Sequence, residues 1–183
     1  MSLKKIFPLL LCVLATFSCA DDLDFSQVND YSATPEYTGS ITYFTILPIQ
    51  FFDQSGVQQT EKTDVTAFRI FDNSYLRDNL VKVDFYVEIK NEFDRGFTIQ
   101  IDFLDDNDSN LPTHIFKEIN VSANNLDYKF NETIEVSSNP NIKKTTRVRV
   151  KVKVDTSTTP LNPSDTSEFE FKSSAKIYID TDA

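Results

Sequence analysis

Residues that commonly carry catalytic or metal-binding chemistry are scarce in this 183-residue sequence. It contains one histidine, His114, two cysteines and no tryptophan. Nucleophilic triads and histidine- or cysteine-ligated zinc sites need more of these residues than the chain supplies. Paired carboxylates that cleave glycosidic bonds remain an alternative, because acids are plentiful. We expect that the protein is not an enzyme.

Basic residues are also in the minority. The chain has 18 lysines and arginines against 28 aspartates and glutamates, which gives a formal net charge of -10. A surface of this sign repels the phosphates of nucleic acid and anionic lipid headgroups. Nucleic acid is therefore excluded as a partner.

No hydrophobic run is long enough to span a membrane. The longest extends from Ile6 to Phe17, about a dozen residues, whereas a membrane-spanning helix needs roughly 20. Lys4 and Lys5 precede the run, and acidic residues follow it closely. This order of charged, apolar and cleavage regions predicts a signal peptide over residues 1–18.

Cys19 lies just after the apolar run and follows the small residue Ser18. This arrangement resembles the lipobox of bacterial lipoproteins, whereas Cys12 lies inside the run after a bulky leucine. The resemblance implies cleavage before Cys19, acylation of that residue with fatty acids such as palmitate, and anchoring of the mature protein in a membrane. A secreted protein cleaved near Ala20 is the alternative, but it would leave Cys19 unpaired in an oxidising compartment.

The acidic residues Asp21, Asp22 and Asp24 directly follow the predicted anchor. They resemble the surface-export signal of Bacteroidota lipoproteins, which implies the outer membrane and the cell surface as location. A solvated acidic linker explains the same residues equally well. Residues 19–39 are rich in Asp, Ser, Thr and Asn, so we interpret them as an extended tether.

Residues 40–183 have the length of one domain and alternate between apolar and polar residues with a period of two. Val83, Phe85 and Val87 alternate with charged or tyrosine residues. The same pattern recurs over residues 97–103, 148–154, 169–171 and 175–179. Seven to nine strands with one buried face predict an all-β fold, a single β-sandwich with an immunoglobulin-like Greek key. An up-and-down barrel is the alternative architecture.

One predicted strand carries a stripe of basic side chains on a single face. The stripe consists of Arg147, Arg149, Lys151 and Lys153. An anionic partner, such as lipopolysaccharide or an acidic protein surface, is one interpretation. Pairing with acids of neighbouring strands, such as Glu168 and Glu170, or protection of an edge strand is the interpretation that we favour.

Residues 105–110 place oxygen ligands at alternate positions. Asp106, Asp108 and Asn110 are spaced like the first three ligands of a calcium loop. Leu111 stands where such a loop needs glycine, and Lys117 stands where it needs glutamate. We expect a solvated polar turn and no cofactor, with a structural calcium ion as the alternative.

Segment 41–52 is apolar on both faces, unlike the other predicted strands. Burial within the chain is the interpretation that we favour. A protein interface is the alternative, because exposed apolar patches often mark one. Its candidate residues are Tyr43, Phe44, Ile46, Phe51 and Phe52.

The absence of tryptophan weakens a glycan-binding interpretation without removing it, because tyrosine can also stack on sugar rings. The candidate platforms are Tyr43, Tyr75, Tyr86 and Tyr178. The sequence favours a non-catalytic accessory or structural subunit of an outer-membrane protein complex. The alternative is a cell-surface glycan- or ligand-binding module that works beside a nutrient importer.

Replacement of the predicted anchor tests the proposed lipidation. Cys19→Ala is expected to abolish incorporation of labelled palmitate. Cys12→Ala is the matched control and is expected to retain it. Palmitate labelling that persists in Cys19→Ala would contradict the assignment.

Overall fold

The computed structural model describes residues 34–106, 111–156 and 159–181. Predictions for the signal peptide, for Cys19 and for residues 20–33 of the tether concern residues outside these ranges. Nine strands are described: β1 Glu36–Ile46, β2 Glu61–Ala67, β3 Leu80–Asn91, β4 Phe97–Leu104, β5 Pro112–Ile115, β6 Ile119–Val121, β7 Tyr128–Glu135, β8 Arg147–Val154 and β9 Phe169–Ile179. Within the described ranges, no helix is long and apolar enough to cross a membrane.

The helical elements of the described chain are short. They are α1 Ser74–Asp78 and three 3-10 turns at Pro48–Phe51, Ile70–Asp72 and Pro140–Lys144. The side chain of Asn73 caps α1 by accepting hydrogen bonds from the backbone N–H groups of Tyr75 and Leu76. The regular structure therefore consists almost entirely of strands.

The strands form two antiparallel sheets, which confirms the predicted β-sandwich. The four-stranded sheet has the order β1-β9-β3-β7, and the five-stranded sheet has the order β2-β8-β4-β5, with β6 also paired to β4. β5 and β6 pair with opposite ends of β4 and together act as one interrupted strand. Counted in this way, the strands follow the order of a jelly-roll sandwich.

The connectivity differs from the predicted immunoglobulin-like order. The first two strands of an immunoglobulin sandwich are neighbours in one sheet, whereas β1 and β2 lie in different sheets here. β1 pairs instead with the last strand, β9. Alternation reports which face of a strand is buried but not which strand lies beside it, so periodicity could not distinguish the two orders.

Aromatic packing between the sheets forms the core. Eight phenylalanines are among its largest fully buried side chains: Phe51, Phe85, Phe93, Phe97, Phe103, Phe116, Phe169 and Phe171. Phe85 of β3 lies edge-on to Phe103 of β4, with ring centroids 5.7 Å apart. Phe97 of β4 contacts Phe169 of β9 at 4.5 Å. These contacts join one sheet to the other and hold the inner faces of the strands together.

Segment 41–52 is not one strand covered on both faces. The register of β1 against β9 shifts between Ser40 and Thr42, so Ile41 is the extra residue of a β-bulge. β1 ends at Ile46, and the following 3-10 turn, Pro48–Phe51, directs Phe51 into the core. The bulge and the turn together allow apolar residues at positions that simple alternation would assign to both faces. β1 also begins at Glu36, within the range that we assigned to the tether.

A buried asparagine links two loops of the sandwich by hydrogen bonds. Asn91, at the end of β3, is fully buried, and its Nδ2 donates to the carbonyl oxygens of Arg95 and Ser122 at 2.7 and 2.8 Å. Its Oδ1 accepts a hydrogen bond from the N–H of Phe93 at 3.0 Å. The side chain thus ties the β3–β4 turn to the loop that follows β6.

Asn91→Ala is expected to lower the free energy of unfolding by about 3 kcal/mol, because it leaves buried carbonyl and N–H groups without partners. Urea unfolding followed by circular dichroism measures the change. Asn131→Ala, on the exposed face of β7, is the matched control and is expected to have little effect. Equal stabilities for the two variants would show that Asn91 does not have this role.

Candidate functional site

The outer face of the four-stranded sheet carries a shallow depression of about 380 Å³. Strand pairing arranges its side chains in two adjacent rows. One row is Tyr43, Lys172 and Glu88, and the next is Ser40, Ser174 and Tyr86. We call these six residues the tyrosine cradle. The volume lies within the range of small-molecule sites in proteins.

The depression exists because short side chains lie between long ones. Ser40 and Ser174 form its floor, whereas Tyr43 on β1 and Tyr86 on β3 stand on either side of β9. Two inter-strand spacings separate β1 from β3, which is roughly 10 Å. A flat molecule can therefore lie across β9 with an aromatic ring at each side.

The β-bulge in β1 lies directly beside the cradle. At this point the buried Ser173 takes part in the pairing, because the Thr42 N–H donates to Ser173 Oγ at 3.3 Å. Ser173 Oγ in turn donates to the Thr42 carbonyl oxygen at 3.3 Å. The side chain thus satisfies backbone groups at the irregularity, and the bulge sets the direction of the neighbouring cradle residues.

The polar groups of the cradle include a cation and a carboxylate at its centre. The Lys172 ammonium group forms an ion pair with Glu170 and lies 5.7 Å from the ring centroid of Tyr43. The hydrogen bond to Glu170 raises the pKa of Lys172 above its ordinary value of 10.5, so this side chain stays a charged donor. Glu88, in register with Lys172, is exposed and offers acceptor oxygens.

The four candidate tyrosines differ in what they offer a ligand. Tyr43 and Tyr86 are 62% and 39% exposed and line the same depression. Tyr178 shares this sheet face, but the ammonium groups of Lys82 and Lys176 lie over its ring at 3.7 and 4.9 Å. Tyr75 lies on α1, outside the sheet. The structure therefore brings two of the four predicted platforms together.

The hydroxyl of Tyr178 belongs to a polar network around Asp84. Tyr178 Oη donates to Asp84 Oδ2 and Thr133 Oγ1 donates to Asp84 Oδ1, both at 2.7 Å. Burial alone would raise the pKa of Asp84, but these hydrogen bonds and the charge of Lys82 outweigh it. The pKa therefore lies below its ordinary value of 3.8. This network connects β9, β3 and β7 beside the cradle.

The basic stripe lies on the outer face of the other sheet and is paired with acids there. Arg149 donates twice to Asp102 Oδ2, at 2.9 and 2.6 Å, and Arg147 Nε lies 2.8 Å from Asp106 Oδ1. Lys151 lies 4.0 Å from Glu61. These contacts match the interpretation that we favoured, but the acids differ from those expected.

The expected partners of the stripe, Glu168 and Glu170, are not beside it. Glu170 lies on β9 in the other sheet, whereas β8 has β2 and β4 as neighbours. Glu168 immediately precedes β9. Lys153, the last residue of the stripe, is in register with Glu61 of β2. An anionic partner for the stripe stays a prediction.

His114 cross-links the edges of the two sheets. Its Nε2 lies 2.6 Å from Glu132 Oε1 on β7, and its Nδ1 lies 3.2 Å from Asn139 Nδ2. Because the asparagine amide donates, we assign the acceptor role to Nδ1 and the proton to Nε2. The ring also lies edge-on to Phe116. These contacts give the histidine a structural role.

The five predicted interface residues have very different exposures. Tyr43 is exposed, Phe44 and Phe52 are half-buried, and Ile46 and Phe51 are buried in the core. Buried side chains offer no surface to a partner, so the predicted interface reduces to Tyr43, Phe44 and Phe52. Whether they bind a protein stays a prediction.

A separate depression, of about 410 Å³, opens on another part of the molecule, between the edge strands β1 and β2. Its lining includes the apolar residues Phe44, Val150 and Val152. Lys62 and Asp64 are on the inner face of β2, because they pair with the buried residues of β8. Inward-pointing charges on an edge strand hinder its pairing with another chain.

The calcium candidate lies largely outside the described residues, since Asp108 and Asn110 fall in the gap between 106 and 111. Asp106 is described, and it forms the ion pair with Arg147. Among the residues that the structure describes, no group of three or more His, Cys, Asp or Glu side chains could hold a metal ion. The calcium loop stays a prediction.

Comparison with known proteins shows a likeness in fold alone. No protein-family model matches the chain, and no curated protein matches it. A Parabacteroides distasonis protein thought to be secreted has a similar structure, with a TM-score of 0.50, 15% identity, and coverage of 64% of this chain and 37% of that one. This chain thus spans little more than a third of that protein.

Two further solved structures have lower similarity. Desmodium yellow mottle tymovirus has a TM-score of 0.40 at 9% identity, covering 82% of this chain and 89% of that one. The K3 adhesin domain of Lys-gingipain from Porphyromonas gingivalis has a TM-score of 0.37 at 11% identity, covering 76% of this chain and 72% of that one.

Asp84→Asn is expected to lower the free energy of unfolding by roughly 1.5 kcal/mol at neutral pH, because it removes a charged hydrogen-bond acceptor. A pKa that folding lowers stabilises the protein above the unfolded value of 3.8, and this contribution disappears as the pH falls through the folded value. The difference between wild type and variant should therefore shrink between neutral pH and about pH 2.

Urea unfolding across this pH range measures the effect of Asp84→Asn. Asp94→Asn, whose side chain is 83% exposed, is the control for loss of a surface carboxylate. A difference that stays constant down to the lowest pH would contradict the network.

Proposed function

We propose that this protein is a non-catalytic, outer-membrane lipoprotein that binds a saccharide in the tyrosine cradle at the cell surface. The observation that carries the proposal is the placement of two exposed tyrosines on either side of a serine-floored depression. Tyrosine rings stack on the apolar faces of sugars, while their hydroxyl groups bond to water or ligand. The geometry thus favours the ligand-binding alternative from the sequence over the accessory-subunit interpretation.

The polar groups of the cradle match the needs of a sugar ring, whose hydroxyl groups both donate and accept hydrogen bonds. Ser40 and Ser174 can do either, Lys172 donates and Glu88 accepts. These side chains lie on paired strands, so their positions are set before a ligand arrives. A site formed in advance loses less conformational entropy on binding.

The predicted lipid on Cys19 supports the same function. An anchored module is confined to the membrane surface, and confinement raises its effective concentration relative to other components there. A weak saccharide site is therefore sufficient when several anchored copies meet one polymer. The acidic residues that follow Cys19 are the basis for proposing exposure at the cell surface.

We propose a non-catalytic role because the titratable groups of the cradle lie on an open sheet face. A general acid that cleaves glycosidic bonds needs surroundings that raise the pKa of a carboxyl group. Glu88 is exposed to solvent. His114 lies on β5 in the other sheet, and its two ring nitrogens contact Glu132 and Asn139. These placements support binding without turnover.

Protein binding as part of an envelope complex is the second candidate function. The depression between β1 and β2 favours it, because Phe44, Val150 and Val152 give it an apolar lining. A protein partner could cover this lining and pair its own charges with Lys62 and Asp64. Failure of the wild-type protein to bind any saccharide would favour this function over the first.

Tyr43→Ala and Tyr86→Ala are each expected to weaken saccharide binding about tenfold, which corresponds to about 1.4 kcal/mol. Native affinity electrophoresis in gels that contain hydroxyethyl cellulose, xyloglucan, galactomannan or laminarin measures the retardation of each variant. Tyr75→Ala is the matched control, because this tyrosine is also exposed but lies on α1.

The electrophoresis gives a clear outcome in either direction. Retardation of the wild type and of Tyr75→Ala, with loss in both cradle variants, would support the proposal. Absence of retardation in all four gels, or equal retardation of all variants, would overturn it. Circular dichroism spectra confirm that each variant is folded.

A further inference from the structure

A second depression, of about 210 Å³, lies directly beside the tyrosine cradle on the same sheet face. Glu88 and Lys172 line both depressions. The second one extends from these two residues over Lys90 and Glu170 to Leu126 and Asp127, which precede β7. The two depressions therefore meet along the row that Lys172 and Glu88 form.

Together the depressions cross the whole sheet. They begin at Tyr43 on β1, pass over β9 and β3, and end at Leu126 beside β7. Three inter-strand spacings separate β1 from β7, so this path is about 14 Å long. A single sugar ring is shorter than this path and would occupy only one of the two depressions.

The two lysines along the path are already paired. Lys172 forms an ion pair with Glu170, and Lys90 Nζ lies 2.6 Å from Glu92 Oε1. Glu88 and Asp127 add two carboxylates to the lining. An anionic ligand would meet this negative excess, and it would have to compete with existing partners for each lysine. The lining is better suited to a ligand without charge.

The second depression offers groups that could hold a further part of such a ligand. Leu126 is 59% exposed and can contact the apolar face of a sugar ring. Asp127 can accept hydrogen bonds from hydroxyl groups, although one of its oxygens already lies 3.0 Å from Lys129 Nζ. An exposed leucine beside polar acceptors resembles the chemistry of the cradle, with a smaller apolar surface.

We infer that the two depressions form one continuous site for an extended, uncharged saccharide chain rather than for a single terminal sugar. This inference rests on the proposed saccharide-binding function and adds to it the length and charge of the ligand. Tyr43 and Tyr86 hold one part of the chain, and Leu126 and Asp127 hold the next part across the Lys172–Glu88 row.

The length of the ligand is tested by isothermal titration calorimetry of the protein with cello-, xylo-, manno- and laminari-oligosaccharides, from disaccharide to hexasaccharide. In the series that binds, the hexasaccharide is expected to bind at least tenfold more tightly than the disaccharide. The double variant Leu126→Ala/Asp127→Ala should bring hexasaccharide affinity down to that of the disaccharide while leaving the disaccharide unaffected. Leu111→Ala, at an exposed leucine outside both depressions, is the control.

The charge of the ligand is tested with two soluble polymers that share one backbone. Hydroxyethyl cellulose is uncharged, and carboxymethyl cellulose is anionic. Should the cellulose backbone bind, affinity electrophoresis is expected to show several-fold stronger retardation by the uncharged polymer. For another backbone, the same comparison uses the uncharged polymer and its carboxymethylated derivative.

The outcomes separate this inference from the proposed function. Equal affinity for the disaccharide and hexasaccharide, no effect of Leu126→Ala/Asp127→Ala, or stronger binding of the anionic polymer would overturn the inference and leave the cradle intact as a site. The inference and the proposed function would both be overturned if Tyr43→Ala and Tyr86→Ala kept the affinity of the wild type. The same holds if the protein bound no uncharged probe.

Discussion

The pairing of β9 with both β1 and β3 is the interaction on which the rest of the structure depends. It places β9 between β1 and β3, so that Thr42 and Ser173, 131 residues apart in sequence, share hydrogen bonds. On the inner side, this arrangement brings Phe169 and Phe171 into the core. On the outer side, it inserts Lys172 and Ser174 between two tyrosines. Core and candidate site are thus opposite faces of one strand.

The core derives its cohesion from aromatic packing, because both cysteines precede the described residues and no disulfide can join the two sheets. Phenylalanines of β3, β4 and β9 contact each other across the interface between the sheets, as Phe85 does with Phe103. Their inward orientation leaves the intervening positions free to vary. The outer faces can therefore carry binding groups at little cost in stability, since outward side chains contribute little to the core.

The two outer faces use their charged residues differently. On the five-stranded sheet, Arg147 and Arg149 are held by Asp106 and Asp102. On the four-stranded sheet, charged side chains surround a depression whose floor is uncharged and whose sides are aromatic. The four-stranded face is therefore the better candidate, because a ligand there meets two tyrosine rings and serine hydroxyl groups beside Lys172 and Glu88.

The sequence alone determined the class of fold, most of the strands and the candidate tyrosines. Alternation with a period of two is a local property, and burial of one strand face is enough to impose it. The strands around Phe85, Val150 and Ile177 therefore agree with their predicted positions. The predicted lipid anchor at Cys19 is also a local pattern, and it stays a prediction because it precedes the described residues.

Only the tertiary structure decided the strand order, the partners of the basic stripe and the grouping of the cradle. Each depends on which strands are neighbours, and pairing between distant segments leaves no periodic trace in the chain. Isolated polar residues on outer strand faces are common, so the sequence did not single out Ser40, Ser174 or Glu88. The structure groups them because β9 lies between the strands of Tyr43 and Tyr86. Backbone pairing then places side chains from separate strands in one row.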